Sequence, residues 1–207
     1  MRAPSYDESV FINCPFDPEY QETFRALVFA VHDCGFLARC SLEVDDSSEV
    51  RISKINRIIR ECRHGIHDIS RTELDPTERL PRFNMPLELG LFLGAREFGA
   101  GRQKRKRALI LDRERFRYQK FCSDIAGQDI KVHEGSVDRA IRAVRNWLAT
   151  SLDGSVMLPS AAKMADRYRA FLTDLPRISS PFHLDADDLQ FVELRTLVEE
   201  WVDQNQP

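Results

Sequence analysis

Between residues 9 and 150, short β-rich runs alternate with longer stretches whose apolar side chains recur at helical spacing. That alternation limits the chain to few folds. Ser9-Val10-Phe11-Ile12-Asn13 reads as a first strand. Cys14-Pro15-Phe16-Asp17-Pro18 closes it, because two prolines forbid continuation. Phe24, Leu27, Val28 and Val31 mark a helix, and Gly35 supplies its stop. Phe36-Leu37-Ala38-Arg39-Cys40 is a second strand, and an acidic loop leads from it to a helix through Ile52, Ile55, Ile58, Ile59 and Cys62. A third strand at Gly65-Ile66-His67-Asp68-Ile69 precedes a polar, proline-punctuated segment from Ser70 to Phe83, of a length at which loops tend to be functional. Ala108-Leu109-Ile110-Leu111-Asp112 is the clearest strand. After it come a short helix around Tyr118 to Ile125, a weak strand at Asp129-Ile130-Lys131-Val132, and an amphipathic helix through Ala140, Ile141, Val144, Trp147 and Leu148.

The order predicts an α/β domain over residues 1–152, a parallel sheet of about five strands with helices on both faces. Beyond the break at Asp153-Gly154-Ser155, residues 153–207 read as an α-helical C-terminal extension expected to pack on the core. Its apolar positions include Met164, Tyr168, Phe171 and Leu172, and later Leu194, Leu197, Val198 and Trp201.

No apolar run approaches the length of a membrane span and the N-terminus has no signal-peptide pattern, so the expectation is a cytoplasmic protein with no membrane partner. A net charge of −3 gives no general attraction to nucleic acid. The five cysteines are scattered without a CxxC pair, which suggests neither a zinc site nor a disulfide framework.

One residue stands against its surroundings. From Met85 to Ala95, Glu88 is the only charged side chain. A helix so apolar is expected to be buried nearly all round, with Asn84 as N-cap, Pro86 in the first turn, and Gly90 and Gly94 pressing on a neighbour. A carboxylate there is costly unless it is paired or faces a cleft, and burial raises its pKa toward the range that acid, base and nucleophile chemistry uses. The plain structural alternative is a Glu near a helix N-terminus, where the dipole favours negative charge.

Parallel sheets bind ligands beyond the carboxyl ends of their strands. That rule gathers Asn13, Cys14, Pro15 and Phe16 after the first strand, Arg39 after the second, and Asp68, Ser70 and Arg71 after the third. Arg82, Phe83 and Asn84 join them at the entry to the Glu88 helix. Asp68 and Glu88 form a carboxylate pair, and the remainder suits a nucleoside or nucleotide: Phe to stack on a base, Arg for phosphate, Asn for ribose hydroxyls. Cys14 is the one cysteine near this site and a candidate reactive thiol.

Three segments carry a family resemblance: Phe11-Ile12-Asn13-Cys14-Pro15-Phe16, His67-Asp68-Ile69-Ser70 and Asn84-Met85-Pro86-Leu87-Glu88-Leu89-Gly90. Together they resemble the nucleoside 2-deoxyribosyltransferase-like group, which is close in fold to bacterial Toll/interleukin-1-receptor-like (TIR-like) domains. The resemblance spans residues 9 to 150 and implies a flavodoxin-like/TIR-like fold with N-glycosidic chemistry. In that group the glutamate matching Glu88 attacks or stabilises the anomeric carbon of a nucleoside, and TIR-like relatives use it to cleave the nicotinamide–ribose bond of NAD. An oxocarbenium-like transition state needs such a carboxylate nearby. Asp68 then orients the sugar or base, or shares protons with the leaving group. Asn13, Pro15, Phe16, Arg39, Ser70, Arg82 and Asn84 are the substrate-binding candidates. The long Ser70–Phe83 segment, the helical extension and the lack of a locatable subunit-exchanged asparagine depart from a housekeeping transferase. They favour a TIR-like nucleotide hydrolase or effector in antiviral defence.

The expected function is hydrolysis or transfer at the N-glycosidic bond of a nucleoside, nucleotide or NAD-like dinucleotide. No cofactor or metal is expected; NAD or a nucleotide enters as substrate. The alternatives are a nucleotide-sensing module without turnover and a TIR-like module that signals by assembly as a homo-oligomer. Elsewhere, Glu43, Asp45, Asp46 and Glu49 read better as a solvated acidic loop than as a cation site. Arg102-Gln103-Lys104-Arg105-Lys106-Arg107 reads better as a connector than as a phosphate-binding run. His67 reads as a packing residue.

Overall fold

The computed structural model describes residues 5–72, 82–152, 154 and 156–206. Most of the expected functional loop, residues 73–81, lies outside the described residues. Strands β1 (Ser9–Asn13), β2 (Leu37–Arg39), β3 (His64–Asp68), β4 (Arg107–Asp112) and β5 (Lys131–Val132) form one all-parallel sheet in the order β2-β1-β3-β4-β5. This is the flavodoxin-like order, whose topological switch point lies between β1 and β3.

Alternation along the strands sorts the side chains between two helical layers. Val10, Ile12, Ile66, Leu109 and Leu111 face α1 (Gln21–Asp33) and α4 (Val137–Ala149). Phe11 faces the other way and packs with Ile55, Ile58 and Ile59 of α2 (Arg51–Glu61) and Phe92 of α3 (Asn84–Phe98). Gly65 in β3 makes that second contact possible: a Cβ there would meet the Phe92 ring at 2.8 Å.

Helices α5 (Ala161–Ser179) and α6 (Phe191–Gln204) form a further layer outside α1 and α4, and their apolar residues join the same cluster. Phe29 of α1 meets the rings of Tyr168, Phe171 and Trp201 at centroid distances of 5.5, 5.5 and 5.7 Å. Arg167 clamps the same corner, pairing with Asp33 at 2.6 Å while lying 5.4 Å over Trp201.

Several local expectations are corrected. The segment from Tyr118 to Ile125 is two 3-10 turns, Arg117–Lys120 and Ser123–Ile125, rather than a helix. Asn84 is the first residue of α3 rather than its N-cap; Phe83 takes that place and makes no side-chain cap bond. Helix α3 is buried on one face only, through Met85, Glu88, Leu89 and Phe92, and Leu87 is 56% exposed. Gly90 has nothing within 4 Å of a built Cβ, so it presses on no neighbour. The reason is layering: α3 rests on β1, β3, α2 and the 3-10 turn Gly101–Arg105, and no further helix covers it among the described residues. No described helix is long and apolar enough to cross a membrane.

Candidate active site

The end of β1 fixes the helix that carries Glu88. The Asn13 side-chain amide donates to the Met85 carbonyl at 2.9 Å and lies 3.1 Å from His67 Nδ1. Burial pushes the His67 pKa down to about 3, with Lys106 adding to the shift, so the ring is neutral. An amide nitrogen can only donate, so Nδ1 accepts and the ring proton sits on Nε2. Asn13 is thereby a brace between the switch point and the first turn of α3.

Glu88 lies one turn further on. It is 6% exposed and has no hydrogen-bond or ion-pair partner among the described residues. Burial lifts its pKa to about 7, with the charge of Arg51 acting in the opposite direction. Burial raises the thiols of Cys14 and Cys40, the residues just beyond β1 and β2, and the charge of Glu88 adds a smaller push in the same direction. Glu88 therefore stands at the carboxyl edge of the sheet.

Asp68 is a different kind of carboxylate. It is wholly buried and surrounded by donors from three crossings. The Tyr20 hydroxyl donates to Oδ2, the Ser70 backbone N–H donates to Oδ1 at 2.8 Å, and His133 Nε2 lies 3.1 Å from Oδ2. The Gly135 N–H donates to His133 Nδ1 at 3.0 Å, which leaves the imidazole proton on Nε2, facing Asp68. That last contact is close in distance but poorly aligned as a hydrogen bond. Burial pushes the Asp68 carboxyl up, yet His133, Ser70 and Tyr20 together outweigh it and hold it below the usual carboxylate range. The two acids are thus shifted in opposite directions, Asp68 toward the charged form and Glu88 toward a carboxyl that titrates near neutrality.

The other predicted positions fall into two groups. Phe16 is 37% exposed, edge-on to Phe24 at 5.2 Å, and lines an open cleft. Asn84 and Arg82 are exposed at the entry to α3, with Arg82 held 2.9 Å from Asp17. Arg39, by contrast, is buried and spent on Glu43 at 2.6 Å and Glu61 at 2.9 Å. Pro15 and Ser70 are buried, the latter acting through its backbone on Asp68. Cys14 is corrected: its thiol is buried and pushed well above the ordinary value by desolvation and then by Asp68, the opposite of an activated nucleophile.

Two acids of the expected acidic loop are engaged, Glu43 with Arg39 and Glu49 with Arg57 at 3.0 Å. The basic run is likewise occupied. Arg102 stacks over Tyr6, Arg105 reaches Asp7, Lys106 is buried over Phe92, and Arg107 holds the Thr150 carbonyl.

Sequence reasoning missed Tyr20, His133 and Arg51. His133 follows β5 directly, so applying the strand-end rule to that weak strand would have found it. Tyr20 and Arg51 carry no spacing signal. A cleft of about 650 Å³ lies beside β5 and α4 against Trp147 and Arg142. It is larger than the Phe16 cleft, but it flanks the sheet instead of opening at the strand ends, so the candidate site is placed at the Glu88 edge.

Comparison with family models, with curated proteins and with solved structures found no match to this chain. The fold and the geometry are therefore the basis for any functional reading.

Proposed function

We propose that the chain hydrolyses or transfers the N-glycosidic bond of a nucleoside, nucleotide or NAD-like dinucleotide, with Glu88 as the carboxylate at the anomeric carbon. The observation that carries this reading is a nearly buried acid, unpaired among the described residues, with a pKa of about 7 at the carboxyl edge of a parallel sheet. Near neutral pH such a group exists in both forms. Ionised, it attacks the anomeric carbon or balances an oxocarbenium-like charge; protonated, it gives a proton to the departing base. Asp68 in this reading is a positioning residue, since its oxygens are engaged by Tyr20, Ser70 and His133. Phe16 offers a face to the base, and Asn84 and Arg82 stand at the rim. The resemblance to deoxyribosyltransferase-like and TIR-like proteins points the same way, with a cytoplasmic effector role in antiviral defence as its extension.

The test is incubation with NAD and with a panel of nucleosides and nucleotides, followed by chromatography for free base. Base release supports the reading; thermal stabilisation by a nucleotide without release would assign the pocket to sensing. A second reading has one observation in its favour. Phe83, Leu87 and Phe98 are exposed along α3, as an assembly module acting through homo-oligomers would require.

A further inference from the structure

A cleft of about 550 Å³ opens between the turn after β2, the start of α2 and the C-terminal segment leading into α6. Its size is within the range of small-molecule sites, and its walls combine aromatic with polar side chains. Phe16 and Leu42 form an apolar side. Arg51 lies in the same cleft, exposed. Its one described hydrogen bond is a long 3.5 Å contact to Ser41 Oγ, and no carboxylate among the described residues pairs with it. A guanidinium so placed is free to take an anion. Phe16, Ser41 and Leu42 place the cleft just beyond β1 and β2, the same carboxyl edge at which Asn13 holds the first turn of the Glu88 helix.

The opposite wall is the segment Asp187–Phe191, and it is held in place. Arg25 of α1 donates to the Ala186 carbonyl at 2.8 Å and the Asp187 carbonyl at 3.2 Å. A capping box between Gln190 and Glu193 fixes the start of α6. Asp187 and Asp188 present exposed carboxylates at that wall, and Asp45 adds a third from the turn after β2. Carboxylates accept hydrogen bonds from sugar hydroxyls, and three of them repel a polyanion. The second cation, Lys54, is turned onto the Val44 carbonyl at 2.6 Å. The cleft thus has one free positive group for a single phosphate, acceptors for hydroxyls, and an aromatic edge for a base.

We propose that this cleft holds the phosphoribosyl part of the substrate, with Arg51 on the phosphate and the C-terminal segment as a working wall. The ligand of the Glu88 site is then a nucleotide rather than a free nucleoside. This rests on the proposed N-glycosidic chemistry for its relevance, but binding can be measured without turnover. The probes are ribose and ribose 5-phosphate, and four nucleosides with their 5′-monophosphates, titrated calorimetrically into the Glu88→Gln protein. Each phosphorylated ligand should bind at least tenfold more tightly than its unphosphorylated partner. Adding Arg51→Ala, an exposed position, should bring each pair within about threefold, as expected for losing a charge-assisted contact. Adding Asp188→Trp, which fills the cleft from the C-terminal side, should weaken every ligand. Equal binding within pairs, a preference that survives Arg51→Ala, or indifference to Asp188→Trp would each overturn the inference. Rapid base release from free nucleosides by the unmodified protein would overturn it too, while leaving the proposed chemistry standing.

Discussion

Replacing Glu88 with Gln should make the protein more stable, and increasingly so as pH rises. The carboxyl has an ordinary pKa of 4.5 and is lifted to about 7 by burial. The folded state therefore holds the proton more tightly than the unfolded chain. Stability is fully present below about pH 4.5 and is lost as pH rises toward 7, with the loss complete above that value. At 1.36 kcal/mol per pKa unit, the ionised side chain costs roughly 3 kcal/mol in the folded state. Gln keeps the shape and removes the charge. The stability difference, variant minus wild type, should widen by about 2–3 kcal/mol between pH 5 and 8.5, about 4–12 °C in Tm for a chain of this size. Urea and thermal denaturation of both proteins at several pH values would show it, and other titrating groups cancel in the difference. A pH-independent difference, or a variant that loses ground as pH rises, would refute the claim that burial holds Glu88 near neutrality. A stabilising change at the proposed site is also what strain stored for function predicts.

Three further changes probe the frame around the site. His64 lies between Phe36 and Trp147 with both ring nitrogens lacking hydrogen bonds, and burial, with Arg63 beside it, lowers its pKa to about 4. A lowered base contributes stability above its ordinary value of 6.5 that is lost as pH falls toward 4, so His64→Phe should stabilise by about 1 kcal/mol at pH 7 and about 2 more at pH 5; a destabilised variant at both pH values in urea would contradict this. Asp68→Asn removes the charge that Tyr20, Ser70 and His133 surround, and should cost about 3 kcal/mol in denaturant; a change below 1 kcal/mol would mean the cluster is not a hub. Trp201→Ala should cost about 3–5 kcal/mol while thermal unfolding stays a single transition, because α6 shares the apolar cluster of α1; a separate early transition would show that the extension unfolds alone.

The regular part of the fold was legible because strand and helix periods differ. The strand at Ser9–Asn13 and the helices around Ile55 and Val144 stand where their spacing put them. The strand-end rule also brought Asp68 and the Glu88 helix to one edge. Partners were harder to read. Asp68 meets Tyr20 and His133, 48 and 65 positions away, and nothing local in a sequence marks contacts at that range. Arg39 shows the reverse error, because Glu43 stands four residues on and the two form a buried pair that leaves little charge for phosphate. Apolar composition misled at α3. It reports a preference for burial, but the exposure of Leu87 depends on how many layers the fold stacks above the helix.

The central claim is that Glu88 acts at an anomeric carbon. Its most direct test is the initial rate of free-base release from the best ligand of the panel, compared between wild type and Glu88→Gln. The variant must be shown folded by circular dichroism and by its raised Tm. A loss of at least about a thousandfold is expected, the scale for removing a nucleophile or general acid. A folded variant within tenfold of wild type would contradict it.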